Sequence, residues 1–221
     1  TEVRARCDGT RMAKQELDGE LLADADGALW TSAMLEGLRA KKLPSLDRVV
    51  VGLDPSTTSG KSSDECGIVV VGAVMQGAPQ DWRAYVLADC TVSQASPNDW
   101  AKAAVRVMEQ FDAERLVAEV NQGGQMVHEV LKQVDALVPF KAVHASRGKV
   151  ARAEPIAALY EQGRVRHAGA FNALEDQMVQ MTVSGFEGTG SPDRVDALVW
   201  ALHELMIVPN AKWRDPRVRT L

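Results

Sequence analysis

Apolar residues follow two rhythms along this chain. Between Arg48 and Cys90 they fall in short β-branched runs: Arg48–Leu53 (RVVVGL), stopped by Asp54-Pro55; Gly67–Met75 (GIVVVGAVM), turned by Gln76-Gly77-Ala78-Pro79; and Trp82–Cys90 (WRAYVLADC). Runs of this length bounded by Gly, Pro and polar residues predict strands, and three in succession predict an antiparallel meander. After Ser96-Pro97 the period lengthens. Trp100, Ala103, Ala104, Val107, Met108 and Phe111 recur at helical spacing and predict a helix over Asn98–Phe111. Strand and helix then alternate: a strand over Arg115–Val120, a helix over Gly124–Val134, a strand over Phe140–Ala145 and a helix over Ala153–Gln162 with Pro155 in its first turn. A helix over Phe171–Met181, a Gly-rich loop over Thr182–Pro192 and a long amphipathic helix over Asp193–Ile207 complete the pattern.

Strand–helix–strand units run parallel with right-handed crossovers, which places the fourth strand beside the first. The expected fold is α/β and ribonuclease-H-like: one mixed five-stranded sheet, three strands antiparallel and two parallel, with helices on both faces. Residues 1–47 read as a linker or the end of a preceding region, broken by Gly19, Gly27 and Gly37 and closed by Lys41-Lys42-Leu43-Pro44. Residues 48–208 form the main domain and 209–221 a basic tail. The chain starts at Thr1 rather than Met, and the expectation is a piece of something longer.

Composition narrows the classes. With 221 residues, 46% hydrophobic and 25% charged, the chain can bury one good core, and disordered and fibrous classes are excluded. No apolar run approaches the roughly 18 residues of a spanning helix, and no signal peptide is visible, so no membrane role is expected. Cys7, Cys66 and Cys90 are odd in number and lack metal-ligand spacing, which suits reduced thiols in a cytoplasmic protein. The net charge of −5 argues against simple coating of nucleic acid, yet the basic residues cluster. Lys141, Arg147, Lys149, Arg152, Arg164 and Arg166 face only Glu154 and Glu161 in their segment, and the tail adds Lys212, Arg214, Arg217 and Arg219.

The topology brings acids together. Asp54 ends the first strand and Glu119 lies near the end of the fourth. As parallel neighbours about 4.8 Å apart, both deliver carboxylates to the carboxyl edge of the sheet, where open α/β sheets build their sites. Asp193 and Asp196 share one face of the first turn of the last long helix. Asp193 reads equally as an N-cap, and Asp64 as a supporting or merely loop acid. Converging carboxylates repel unless a cation holds them, and an oxygen-only set suits Mg²⁺ or Mn²⁺ rather than zinc. Two such ions about 3.5–4 Å apart suit phosphodiester hydrolysis, the second arriving only with the DNA. Arg147, Lys149 and Arg152, on the loop after the fifth strand, are placed to neutralise the phosphates of bound DNA.

At these residues the chain resembles the nuclease domain of the large terminase subunit of tailed phages and phage-like gene transfer agents. The matching segments are Val51-Gly52-Leu53-Asp54-Pro55-Ser56, Ala118-Glu119-Val120-Asn121-Gln122-Gly123-Gly124, Ser146–Pro155 with Gly163-Arg164-Val165, and Pro192-Asp193-Arg194-Val195-Asp196-Ala197-Leu198-Val199. Gln15–Glu20 and Ala28-Leu29-Trp30 are similar to the family's segment leading out of its ATPase motor. The resemblance implies that Asp54, Glu119 and Asp196 are catalytic metal-binding acids, with Asp193 where some members carry a further ligand. It implies cutting of concatemeric double-stranded DNA during packaging into a capsid, inside a bacterial host. It also implies an N-terminal motor domain, a small terminase subunit, portal and capsid as partners.

Three other readings are open to the same residues. Ser59-Gly60-Lys61-Ser62 ends like a phosphate-binding loop, but Pro55 stands where the leading Gly is needed. Gly52–Gly60 is similar to the first phosphate hairpin of actin-like ATPases, whose second domain this length does not accommodate. A Holliday-junction-resolvase-like nuclease, or a non-catalytic module that docks DNA or portal, remains as an alternative.

Overall fold

The computed structural model describes residues 24–55, 65–120 and 124–212. Its centre is a six-stranded mixed sheet of β1 (Arg48–Asp54), β2 (Gly67–Val74), β3 (Arg83–Asp89), β4 (Arg115–Glu119), β5 (Phe140–Val143) and β6 (Val165–His167), in the order β5-β4-β1-β2-β3-β6. The meander β1–β2–β3 is antiparallel; β4 is parallel to β1, β5 to β4, and β6 to β3. The expected ribonuclease-H-like α/β arrangement is present, with one correction: the sheet has six strands rather than five. The additional strand, Val165–His167, is three residues long and too short to set up an alternation.

Both faces of the central strands are covered, so their sequences are apolar at every position rather than at alternate ones. On one face Val50, Val69, Val71, Ala73 and Val117 pack under the helix α6 (Asp193–Leu202), α4 (Lys149–Glu161) and α5 (Asn172–Met178). On the other, Val51, Leu53, Ile68, Val70, Leu116 and Ala118 pack under α2 (Pro97–Gln110) and α3 (Gly124–Val134). Helix α2 starts where the sequence punctuates it: the Ser96 hydroxyl accepts from the Asp99 backbone N–H, and Pro97 takes the first helical position, where no intrahelical N–H is required.

The described part of the stretch before β1, which includes α1 (Ser32–Gly37), joins the first of these cores. Trp30 is wholly buried and meets Tyr160 edge-on with centroids 5.9 Å apart. Ala28 bridges Thr182 of a small hairpin, β7 (Met181–Thr182) and β8 (Gly185–Phe186), which takes Met181 from the end of the expected helix Phe171–Met181 and the rest from the expected Gly-rich loop; Arg39 bridges His167 of β6. Arg39 forms a two-pronged ion pair with Glu175, whose carboxylate also accepts from His167 Nδ1–H at 2.8 Å.

Two helices differ from the sequence expectation. Helix α4 begins at Lys149, four residues before the expected Ala153, with Gly148 as an N-cap that offers no side chain. Pro155 therefore lies inside the helix rather than in its first turn; its exposed ring faces outward, and α4 forfeits one backbone hydrogen bond there. The last helix does not simply end at Ile207. It widens into a π turn over His203–Ile207 and resumes as α7 (Val208–Lys212). In that turn Glu204, almost wholly buried, reaches Arg115 at 2.7 Å and Lys141 at 2.5 Å, tying the helix to the starts of β4 and β5.

Candidate active site

Alternation along the strands decides where the acids point. Val50, Gly52 and Asp54 share one face of β1, and Val117 and Glu119 share the same face of β4, the face covered by α6. Leu53 pairs with Ala118, so Asp54 and Glu119 come next, side by side at the carboxyl edge. Helix α6 can reach them because two strand positions have no side chain. A Cβ at Gly52 would stand 2.0 Å from the Ala197 carbonyl oxygen, and one at Gly67 would stand 2.0 Å from that of Asp193. Gly67 pairs with Asp54, so the first turn of α6 lies directly over the end of β1.

That turn is held in place by groups the sequence does not announce. Arg194 makes two contacts to Glu65, at 2.9 and 2.6 Å, and a third to Asp89 at 2.7 Å. The Gln177 side-chain oxygen accepts from the backbone N–H groups of Arg194 and Val195, at 3.1 and 3.4 Å, and so caps α6 from α5. Asp193, which the sequence left open as an N-cap, is the first helical residue; Pro192 occupies the cap without a side-chain hydrogen bond. Asp193 and Asp196 are both buried.

Two cations sit among these carboxylates. Lys149 Nζ lies 2.5 Å from Asp196 Oδ2 and donates to Ser191 Oγ at 3.1 Å. Arg152 Nη2 lies 3.2 Å from both Asp196 Oδ1 and Glu119 Oε2, its Nη1 donates to the Arg147 carbonyl at 3.0 Å, and its guanidinium stacks 4.9 Å from the Trp200 ring centre. Trp200 Nε1 in turn donates to Glu119 Oε2 at 3.0 Å. Because α4 starts early, Lys149 and Arg152 lie on its first turn, not on a loop as the sequence suggested. Arg147 precedes the helix and is exposed. Asp64, the segment Ser59–Ser62 and residues 121–123 lie outside the described residues.

The electrostatics carry an excess of negative charge. Burial pushes the Asp54 carboxyl well above the usual carboxylate range, and Asp196 and Asp193 push it further; Lys149 opposes them and Glu119 adds a smaller push. Burial lowers the Lys149 ammonium, but Asp196, Asp54 and Asp193 outweigh it and raise it. Among the described residues no three carboxylate, imidazole or thiol groups are close enough, as placed, to hold one ion between them. Instead both oxygens of Asp196 face a protein cation. The donor set suits a hard divalent cation: it is all carboxylate, with Asp193 and Asp196 buried and Asp54 and Glu119 half-buried.

Residues 51–205 match the family model of the terminase RNase H-like domain. No curated protein sequence matches the chain. Among solved structures, the nuclease domain of the large terminase subunit of bacterial virus Sf6 superposes with a TM-score of 0.59 at 13% identity, over 80% of this chain and 98% of that one. The large terminase nuclease of thermophilic phage G20c, solved with cobalt, gives 0.54 at 15% identity over 80% and 97%. The HK97 bacteriophage large terminase gives 0.58 at 12% identity over 80% of this chain. The match spans 43% of the HK97 chain, under half of its length. At such identities the likeness is one of fold.

Proposed function

The chain belongs to the terminase RNase H-like domain family, and on that premise we propose that it is a metal-dependent endonuclease cutting concatemeric double-stranded DNA during genome packaging. One observation carries the reading: Asp54, Glu119, Asp193 and Asp196, from three elements, crowd at the carboxyl edge of the sheet, and burial together with the neighbouring carboxylates holds Asp54 well above its ordinary range.

Asp54, Glu119 and Asp196 would hold Mg²⁺ or Mn²⁺, and Asp193 would be a further ligand. Support comes from relatives of the same fold: the Sf6 nuclease domain has been solved with manganese, and the G20c nuclease with magnesium and with cobalt. Two ions, the second entering with DNA, would supply Lewis acidity for activating water and for stabilising the leaving oxygen. The chain's own groups do the rest. Trp200 and Arg152 orient the Glu119 carboxylate, and Gln177 and Arg194 fix the turn that carries Asp193 and Asp196. Lys149 and Arg147, which are exposed, would meet DNA phosphates, and the buried Arg152 would support that face from behind.

The wider setting belongs to the same proposal. Residues 1–47 lead from an ATPase motor domain, 48–208 form the nuclease, and 209–221 are a basic tail. The small terminase subunit, portal and capsid are partners in the cytoplasm of a bacterial host. No helix among the described residues is long and apolar enough to cross a membrane.

The test is nicking of supercoiled plasmid with Mn²⁺, Mg²⁺ or EDTA. Cutting that needs the metal supports the reading. No cutting under any condition overturns it in favour of a docking module, and preference for four-way junctions favours a resolvase-like nuclease.

A further inference from the structure

On the far face of the same sheet edge is a cavity of about 490 Å³ lined by Val120, Gln125, His128, Phe140, Ala142 and His144. Phe140, Ala142 and His144 alternate along β5 and its exit, so they share a face, the one opposite Glu119. Helix α3 forms the other wall. His128 lies over Phe140 with ring centroids 5.4 Å apart and planes 23° apart, and the Gln125 amide hydrogen-bonds Glu129 at 3.0 Å. Ala142 is exposed and leaves the floor of the cavity open.

Among the described residues the lining carries no carboxylate, lysine or arginine. It offers flat rings, an amide and two imidazoles, a chemistry suited to a neutral, planar heterocycle that is stacked on one side and hydrogen-bonded at its edge. The position narrows the choice. Val120 directly follows Glu119, and its backbone N–H bonds the Val143 carbonyl at 2.9 Å, one residue before His144. A DNA phosphate at the acids and a ligand in this cavity are separated only by the thickness of the sheet edge.

We infer that this cavity receives a nucleobase turned out of the DNA beside the phosphate being cut. The inference rests on the nuclease reading for its geometry. It extends that reading from the phosphate, which carries no sequence information, to a base, which does. Gln125 and His144 are the groups that read its edge, and the Phe140–His128 ring pair supplies the stacking surface.

The experiment compares two duplexes, one with a single bulged 2-aminopurine and one with an abasic bulge at the same place, bound to the whole chain in EDTA so that nothing is cut. Expected is about tenfold tighter binding of the base-bearing bulge, with 2-aminopurine fluorescence quenched on binding, because stacking one base on protein rings is worth about that factor. Gln125→Ala and His128→Ala should shrink the difference. Ala142→Leu, which fills the cavity from an exposed position, should abolish it. All three should leave binding of fully paired duplex unchanged. Equal binding of the two bulges, or a preference that survives Ala142→Leu, overturns the inference. Plasmid nicking by the unaltered chain scores the nuclease reading separately: nicking without base preference sinks only the cavity, and base preference without nicking sinks only the nuclease.

Discussion

Gly52→Ala tests how the site is assembled. The added Cβ would stand 2.0 Å from the Ala197 carbonyl oxygen, 2.9 Å from its carbon and 3.1 Å from the Ala201 Cβ. Contacts under 3.0 Å are essentially never seen, so α6 must lift by about 1 Å from β1. The obstacle is helix backbone, which has no alternative rotamer. Forcing extra atoms into a packed core costs typically 1–3 kcal/mol, and this contact belongs at the upper end. The lift also carries Asp193 and Asp196 away from Asp54 and Glu119, and a misplacement of about 1 Å costs on the order of 10²-fold in rate. The assay is urea denaturation, to measure the stability loss, followed by Mn²⁺-dependent plasmid nicking at a temperature where the variant is fully folded. Gly37→Ala is the control, since its Cβ would meet nothing within 4 Å. Gly52→Ala with wild-type stability and wild-type nicking would refute the claim that α6 is seated on the bare backbone of β1.

Asp54→Asn should abolish nicking and leave the fold intact. Its carboxyl is raised in the folded state, so its charge costs stability above the ordinary value near 3.8 and the cost fades as pH falls; the variant should be more stable than wild type at pH 7, with the gap closing on acidification. A less stable Asp54→Asn at pH 7 contradicts this. Arg147→Ala should weaken DNA binding and lower the salt slope by about one, measured by titration at several salt concentrations; an unchanged slope removes Arg147 from the phosphate contacts. Glu175 is held down at about 2 by Arg39 and His167 against the opposing effect of burial, so its contribution is full above 4.5 and disappears as pH falls through about 2. Glu175→Gln should cost about 2 kcal/mol at pH 7 and progressively less toward pH 2 by urea denaturation; a gap independent of pH rules out the ion pair as its source.

Much of this molecule could be read from local pattern. RVVVGL before Asp54-Pro55 and RLVAEV with Glu119 near its end read as strands that carry an acid toward the carboxyl edge, and a crossover rule suffices to make them neighbours. The Asp193–Asp196 spacing marks one helix face. Features built from distant residues were not readable. β6 is recognisable only once β3 and Arg39 lie beside it. The start of α4 is hidden because Gly148 gives no cap and Pro155 mimics a first-turn proline. The fastening of the site by Trp200, Gln177, Arg194, Lys149 and Arg152 is pairwise and long-range, so no periodicity contains it. Trp30 shows the same limit from the other side: it ends a short apolar triplet between Gly27 and the polar Thr31-Ser32, yet it is wholly buried.

Since neighbouring residues of β1 belong to opposite cores, the strand tolerates insertions very unequally. One extra residue between Arg48 and Leu53 would swap Val50 with Val51 and send Asp54 toward α2 and α3, silencing the acidic cluster while leaving every other acid where it was. Two extra residues would restore the side but carry Asp54 past the end of Glu119's strand. A change of length is therefore borne by the connections, whereas the seven residues of β1 can be exchanged only one for one.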